Sequence, residues 1–142
     1  MAADNLMQNN LYIVWKDHND LGISIIDEQH RGIISTINSL YYFIQSGLGE
    51  EIIRPTMIML VEYTNVHFKT EEALMLEAGF PSLKEHLILH KSLLEKTKKL
   101  ALETPKNKDP ERVLSFLKDW WLDHIGTEDK KYAPFLRTII EN

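Results

Sequence analysis

Cysteine is absent from this chain of 142 residues. Disulfides, thiolate zinc sites, iron-sulfur clusters and a cysteine nucleophile are excluded with it. Any metal must therefore bind through nitrogen and oxygen. Long apolar runs are missing too, since no stretch approaches the roughly 18 residues that a membrane span needs. Met1 to Asn10 has neither the basic start nor the apolar core of a signal peptide. A soluble cytoplasmic protein without membrane insertion is expected. Clustered positive charge is also lacking: the net charge is -5, and the Lys-rich stretch Lys96 to Lys108 is interrupted by Glu103 and closed by Asp109. Neutralising phosphates requires such clusters, so no nucleic-acid partner is expected. There is no internal repeat, no low-complexity tract and no strand-like alternation.

What is present fits one folded domain spanning residues 1–142. Hydrophobic residues make up 44% and charged residues 26% of the chain, ordinary values for a globular protein with a single core. Helical spacing recurs in four segments, which makes the fold class all-α. The first, about residues 24–46, carries Ile26, His30, Ile33, Ile37, Tyr41 and Ile44, and stops at Gly47 and Gly49. The second, about residues 51–78, carries Met57, Leu60, Thr64, His67, Glu71 and Leu74, with Pro55 expected near its first turn or at a break there. Gly79 and Pro81 close it. The third, about residues 81–103, carries Leu83, His86, His90, Leu93 and Thr97, and ends in the linker Thr104 to Lys108.

Asp109-Pro110 reads as an N-cap followed by a first-position proline, opening a fourth helix of about residues 110–126 through Leu117, Trp121 and His124. Gly126 is expected to mark its frayed end. Residues 1–20 form an N-terminal arm, and the tail 130–142 is expected to fold back as a short C-terminal helix. Short connections imply an antiparallel up-down-up-down four-helix bundle. In that topology His30, His67, Glu71, His86, His90 and His124 share one level of the core.

Residues four apart lie on one helix face, about 6 Å apart along the axis. His67 with Glu71 and His86 with His90 are such pairs. Asp129 follows His124 by five positions, off-face on a continuous helix, so a break at Gly126 is needed to turn it inward. A lone inward histidine is more often a hydrogen-bonded core residue than a ligand. Inward histidines on all four stripes differ, because buried imidazoles without metal would each need partners. One zinc wants four ligands and cannot use so many. Two six-coordinate metals can: five nitrogens, four oxygens from two bridging carboxylates and two from a bridging oxide or hydroxide fill eleven of twelve positions. Iron suits that set best, with manganese and cobalt left open by the ligands alone. Two ferrous ions, two carboxylates and a hydroxide sum to only +1, which a buried site tolerates. Carboxylate-rich di-iron oxidases use Glu-x-x-His pairs, and no histidine here has a glutamate three residues before it.

These residues resemble the hemerythrin family. The matching blocks are Gly22 to His30, His67 to Glu72, Gly79-Phe80-Pro81 leading to His86 and His90, and Trp121 to Ile125 leading to Asp129 and Tyr132, with Trp15 upstream. The resemblance implies one iron held by His86, His90 and His124 and a second by His30 and His67, bridged by Glu71, Asp129 and a solvent-derived oxygen. It also implies reversible dioxygen binding at the two-histidine iron, for oxygen transport, storage or delivery, rather than an enzyme activity. Phe68, Trp121 and Ile125 are candidates for an apolar wall around the oxygen pocket. A di-iron peroxidase or oxidase, and an oxygen or iron sensing module, are the competing readings; any oxygen-consuming partner enzyme is unspecified. His18, in a polar stretch, reads as a surface residue, while Asp27 and Glu72 read equally as partners of the ligands or as exposed helix charges.

Overall fold

The computed structural model describes residues 11–48, 50–104 and 109–140. Four long helices run in chain order: α1 (Ser24–Gln45), α2 (Glu50–Ala78), α3 (Leu83–Glu103) and α4 (Pro110–Asp123), and α4 leads through a turn at 124–128 into α5 (Asp129–Ile140). They form the all-α four-helix bundle, with α1 against α2 and α4, and α2 against α3. Gly49, the linker residues 105–108, the first ten residues of the arm and residues 141–142 of the tail lie outside the described residues.

The helix ends follow local chemistry. Gly47 takes φ +72° after α1 and Gly79 takes φ +71° after α2, a conformation that a side chain resists. Behind Gly79 the Phe80 N–H reaches back to the Met75 carbonyl at 3.0 Å, closing the last turn of α2. Pro81 and Ser82 belong to that turn, so α3 begins at Leu83 rather than Pro81. Asp109 caps α4 by accepting the Arg112 N–H, with Pro110 in first position. Helix α2 begins at Glu50 and runs through Pro55 without a break.

The arm is held by polar clamps as well as by burial. Ile13 is buried, its N–H donates to Asn38 Oδ1 at 2.7 Å, and its carbonyl accepts from Asn38 Nδ2 at 2.9 Å. Tyr12 stacks on Tyr41 with centroids 4.8 Å apart. Asp27 is not a free helix charge: it is buried and accepts the Leu21 and Gly22 N–H groups at 2.7 and 3.0 Å. It thereby fixes the entry into α1. From the far end of the chain, Arg137 donates through Nε to the Leu21 carbonyl at 3.0 Å.

The core is divided. One apolar cluster fills the length of the bundle through Ile37, Leu60, Leu93 and Leu117. A second, with Ile23, Met75, Phe80 and Leu136, closes the end made by the entry to α1, the α2–α3 turn and α5. Buried polar side chains lie where the two meet: Phe68 of the first cluster stacks on His90 at 3.8 Å between centroids, and Phe80 and Tyr132 of the second face His86 at 6.3 and 5.6 Å.

The end of α4 corrects the sequence expectation. Gly126 neither frays nor breaks the helix. His124 to Glu128 form a π-helical turn, in which the Asp129 N–H bonds to the His124 carbonyl five residues back. An α-helix advances 3.6 residues per turn, so its fifth residue points away; a π turn closes on the fifth residue. The tail therefore continues α4 as the 12-residue α5.

Candidate metal centre

All seven sequence candidates meet. His30, His67, Glu71, His124 and Asp129 are 0–2% exposed, and His86 and His90 only 4% and 2%. Their donor atoms fall into two groups, each with all atoms within 4.8 Å of one another: His86, His90 and His124 with Glu71 and Asp129, and His30 and His67 with the same two carboxylates. Asp129 presents one oxygen to each, Oδ2 to His30 Nε2 at 2.9 Å and Oδ1 to His124 and His86 Nε2 at 2.9 and 3.3 Å. Glu71 Oε1 lies 3.0 Å from His67 Nε2 and 3.4 Å from His90 Nε2. The π turn is what supplies Asp129: its bond from residue 129 to 124 places both side chains on one face.

These separations are short, yet they are not hydrogen bonds. Nε2 of all five histidines, Glu71 Oε1 and both Asp129 oxygens are buried without a hydrogen-bond partner, as are Nδ1 of His30 and His124. The atoms converge on common points instead of pairing. At about 1–3 kcal/mol for each buried unsatisfied group, the eight atoms that face the two groups (five Nε2, Glu71 Oε1 and the two Asp129 oxygens) would cost on the order of 8–24 kcal/mol, more than or comparable to the ~5–15 kcal/mol that holds a domain together. Two cations, one in each group, relieve that cost, and nitrogen and carboxylate oxygen are donors that iron accepts.

Electrostatics prepares the donors. Burial, and Asp129 beside it, oppose charge on Glu71, but His67 and His90 outweigh them and bring its carboxyl down to about 2. Burial likewise opposes charge on Asp129, yet His124, His30 and His86 hold it well below the usual carboxylate range. Both are anionic at neutral pH. Burial pushes the His67 imidazole down against the pull of Glu71, favouring the neutral form that ligates. At His124 burial acts downward too, but Asp129 prevails and raises it.

Three further residues complete the site. His67 Nδ1 lies 2.8 Å from Gln29 Oε1, while Gln29 Nε2 donates to Thr70 Oγ1 at 3.2 Å. Because that amide oxygen only accepts, His67 carries its proton on Nδ1 and turns a lone pair on Nε2 inward. Glu72 does the same for His90, at 2.9 Å from Nδ1. Of the two acidic residues left open by sequence, Glu72 serves the site and Asp27 the fold. Tyr132, fully buried, donates its hydroxyl to Glu71 Oε2; burial first, then Asp129 and Glu71, push that phenol well above 10 and keep the proton on it. Replacing Gln29 by Leu should weaken metal binding about 10- to 100-fold, measured by competition with a chelator. Glu72→Leu should act similarly, and Glu72→Gln, which keeps an acceptor, should recover most of the loss.

Phe68, Trp121 and Ile125 are all buried. Phe68 stacks on His90 at 3.8 Å between centroids, and Trp121 lies 6.2 Å from His67 and 6.0 Å from His124. Trp15 approaches His30 at 6.3 Å from the arm. His18 is exposed. Among the described residues no helix is long and apolar enough to cross a membrane.

Comparison with known proteins points to one family. The family model described as the hemerythrin HHE cation binding domain matches residues 21–136. Bacteriohemerythrin of Stenotrophomonas maltophilia is 32% identical over 122 residues, 85% of this chain and 79% of that protein. A hemerythrin from Sipunculus nudus is 32% identical over 111 residues, covering 78% and 82% respectively. The crystal structure of a wild-type hemerythrin superposes with a TM-score of 0.78 at 25% identity, over 88% of this chain and 98% of that one.

Proposed function

The chain belongs to the hemerythrin family, and from that premise we propose that it binds dioxygen reversibly at a pair of iron ions, as an oxygen carrier or store. The observation that carries the reading is the inequality of the two donor groups. Both share Glu71 and Asp129, but one adds three imidazoles and the other only two, His30 and His67. With a solvent-derived bridge, the two-histidine ion would be one ligand short, which leaves a place for a small molecule.

Iron, when bound, supplies the electrons that dioxygen binding requires; the protein supplies the surroundings. His86, His90 and His124 would hold one ion and His30 and His67 the other, with Glu71 and Asp129 spanning both. Gln29 and Glu72 keep His67 and His90 in the ligating tautomer. Tyr132 holds its own proton against Glu71 Oε2 and so would fix the orientation of that carboxylate when ions are bound. Phe68, Trp121 and Ile125 bring apolar bulk to the imidazoles and exclude water. Excluding water limits proton delivery to a bound small molecule. The relatives compared above are named hemerythrins rather than enzymes, in keeping with binding without turnover.

The test is anaerobic reduction of the iron-loaded protein followed by air, with metal analysis and visible spectra through several cycles. Two irons per chain and an absorption band that appears and disappears reversibly are expected. A single metal per chain, or irreversible oxidation on first contact with air, would refute the carrier reading. Steady consumption of an added reductant with peroxide, well above a metal-free control, would replace it with a peroxidase.

A further inference from the structure

Two buried polar atoms among the described residues lack a hydrogen-bond partner and belong to none of the seven donor residues: Trp121 Nε1 and Thr64 Oγ1. Both side chains are fully buried, at 0% exposure. Each stands three positions before a site histidine, Thr64 before His67 and Trp121 before His124, and so on the same helix face one turn earlier. The Trp121 ring touches the site from this side, 6.2 Å from His67 and 5.7 Å from Phe68. Ile33, Leu60, Leu93 and Leu117, buried in the same apolar cluster as Trp121, offer no side-chain acceptor.

A core needs bulk at Trp121, and an aliphatic or phenyl side chain supplies bulk without a polar atom. An indole N–H buried without an acceptor is a cost, and indole is donor only. Its acceptor must be something the protein chain does not provide. Resting on the reading of the site proposed above, we propose that the Trp121 indole N–H, assisted by the Thr64 hydroxyl, donates a hydrogen bond to the small ligand at the open position beside His67. The ligand class is a short molecule with a lone pair on the atom remote from the metal, such as dioxygen or azide. A donor that does not give up its proton orients and retains such a ligand without protonating it, unlike an acid at the same place. Trp121 then sets ligand preference as well as walling off water.

The probe is azide, titrated into the diferric protein after two irons per chain are established by metal analysis. Trp121→Phe should raise the azide dissociation constant about tenfold or more, the scale of a lost hydrogen bond to a charged acceptor. Thr64→Val, close in shape, should raise it several-fold. The infrared stretch of bound azide should shift in heavy water for the unaltered protein and lose that sensitivity in Trp121→Phe. A stretch in the unaltered protein that ignores heavy water overturns the proposal without any variant. Equal azide affinity in an iron-loaded Trp121→Phe protein overturns it as well. Failure of the unaltered chain to hold two irons defeats the metal reading itself, and this proposal with it.

Discussion

Removing iron with a chelator is expected to lower the melting temperature by roughly 15 °C or more, at about 4 °C per kcal/mol for a domain of this size. The eight orphaned donor atoms that face the two groups are all buried, and without cations they are left to water or to one another. Water entry relieves part of the penalty but opens the bundle between its two apolar clusters. Metal free energy is folding free energy in such a site, so melts followed by circular dichroism with and without iron measure it directly. An unchanged melting temperature would mean that the cluster is satisfied without metal, and would contradict the geometry from which the cations were inferred. The metal-free protein should also be sensitive to acid. Glu71, brought to about 2 against an ordinary 4.5, and Asp129, lowered likewise, have depressed folded values. Their contribution to stability is therefore present above the unfolded carboxylate range and is lost as pH falls through about 4.5 towards 2. A melting temperature of the metal-free protein that rises on acidification through this window would contradict that sign.

How much of this was legible in sequence depended on whether a residue's role is local. His67 with Glu71 and His86 with His90 declare themselves because i,i+4 spacing fixes a shared face whatever the bundle does. The level shared by His30 and His124 needed only short connections and antiparallel packing. Gln29 was missed: it meets His67 across 38 positions, and an amide on a helix carries no periodic signal. Tyr132 was visible as part of a family block but not as the donor to Glu71, since that contact spans 61 positions. Glu72 was noticed without a partner because its direction depends on where α3 sits. The free indole N–H of Trp121 has no sequence signature, for periodicity marks it as core and says nothing of which atom lacks a partner.

For Asp129 the sequence points to the residue but not to its geometry. Its inward position does not come from a break at Gly126 but from one residue accommodated within an unbroken helix. That makes opposite predictions for two changes of equal size. Inserting an alanine after Gly126 puts the carboxylate six residues beyond His124, about a third of a turn from its face on a helix of 3.6 residues per turn. Asp129 serves both donor groups, so its loss is expected to leave at most one tightly held iron per chain and no reversible oxygen band. Deleting Gly126 instead turns the spacing into i,i+4 on an ordinary α-helix, where the two side chains again share a face. It also removes the wide turn, and Gly126 has open space where a side chain would stand, so no packed contact goes with it. The deletion is expected to retain two irons per chain by metal analysis, with a melting temperature near that of the unaltered protein. If the deletion loses metal as completely as the insertion, the π turn does more than set the angle of Asp129, and the register argument fails. If the insertion retains two irons, α5 has slipped to restore the face, and Asp129 is held by α5 packing rather than by the turn.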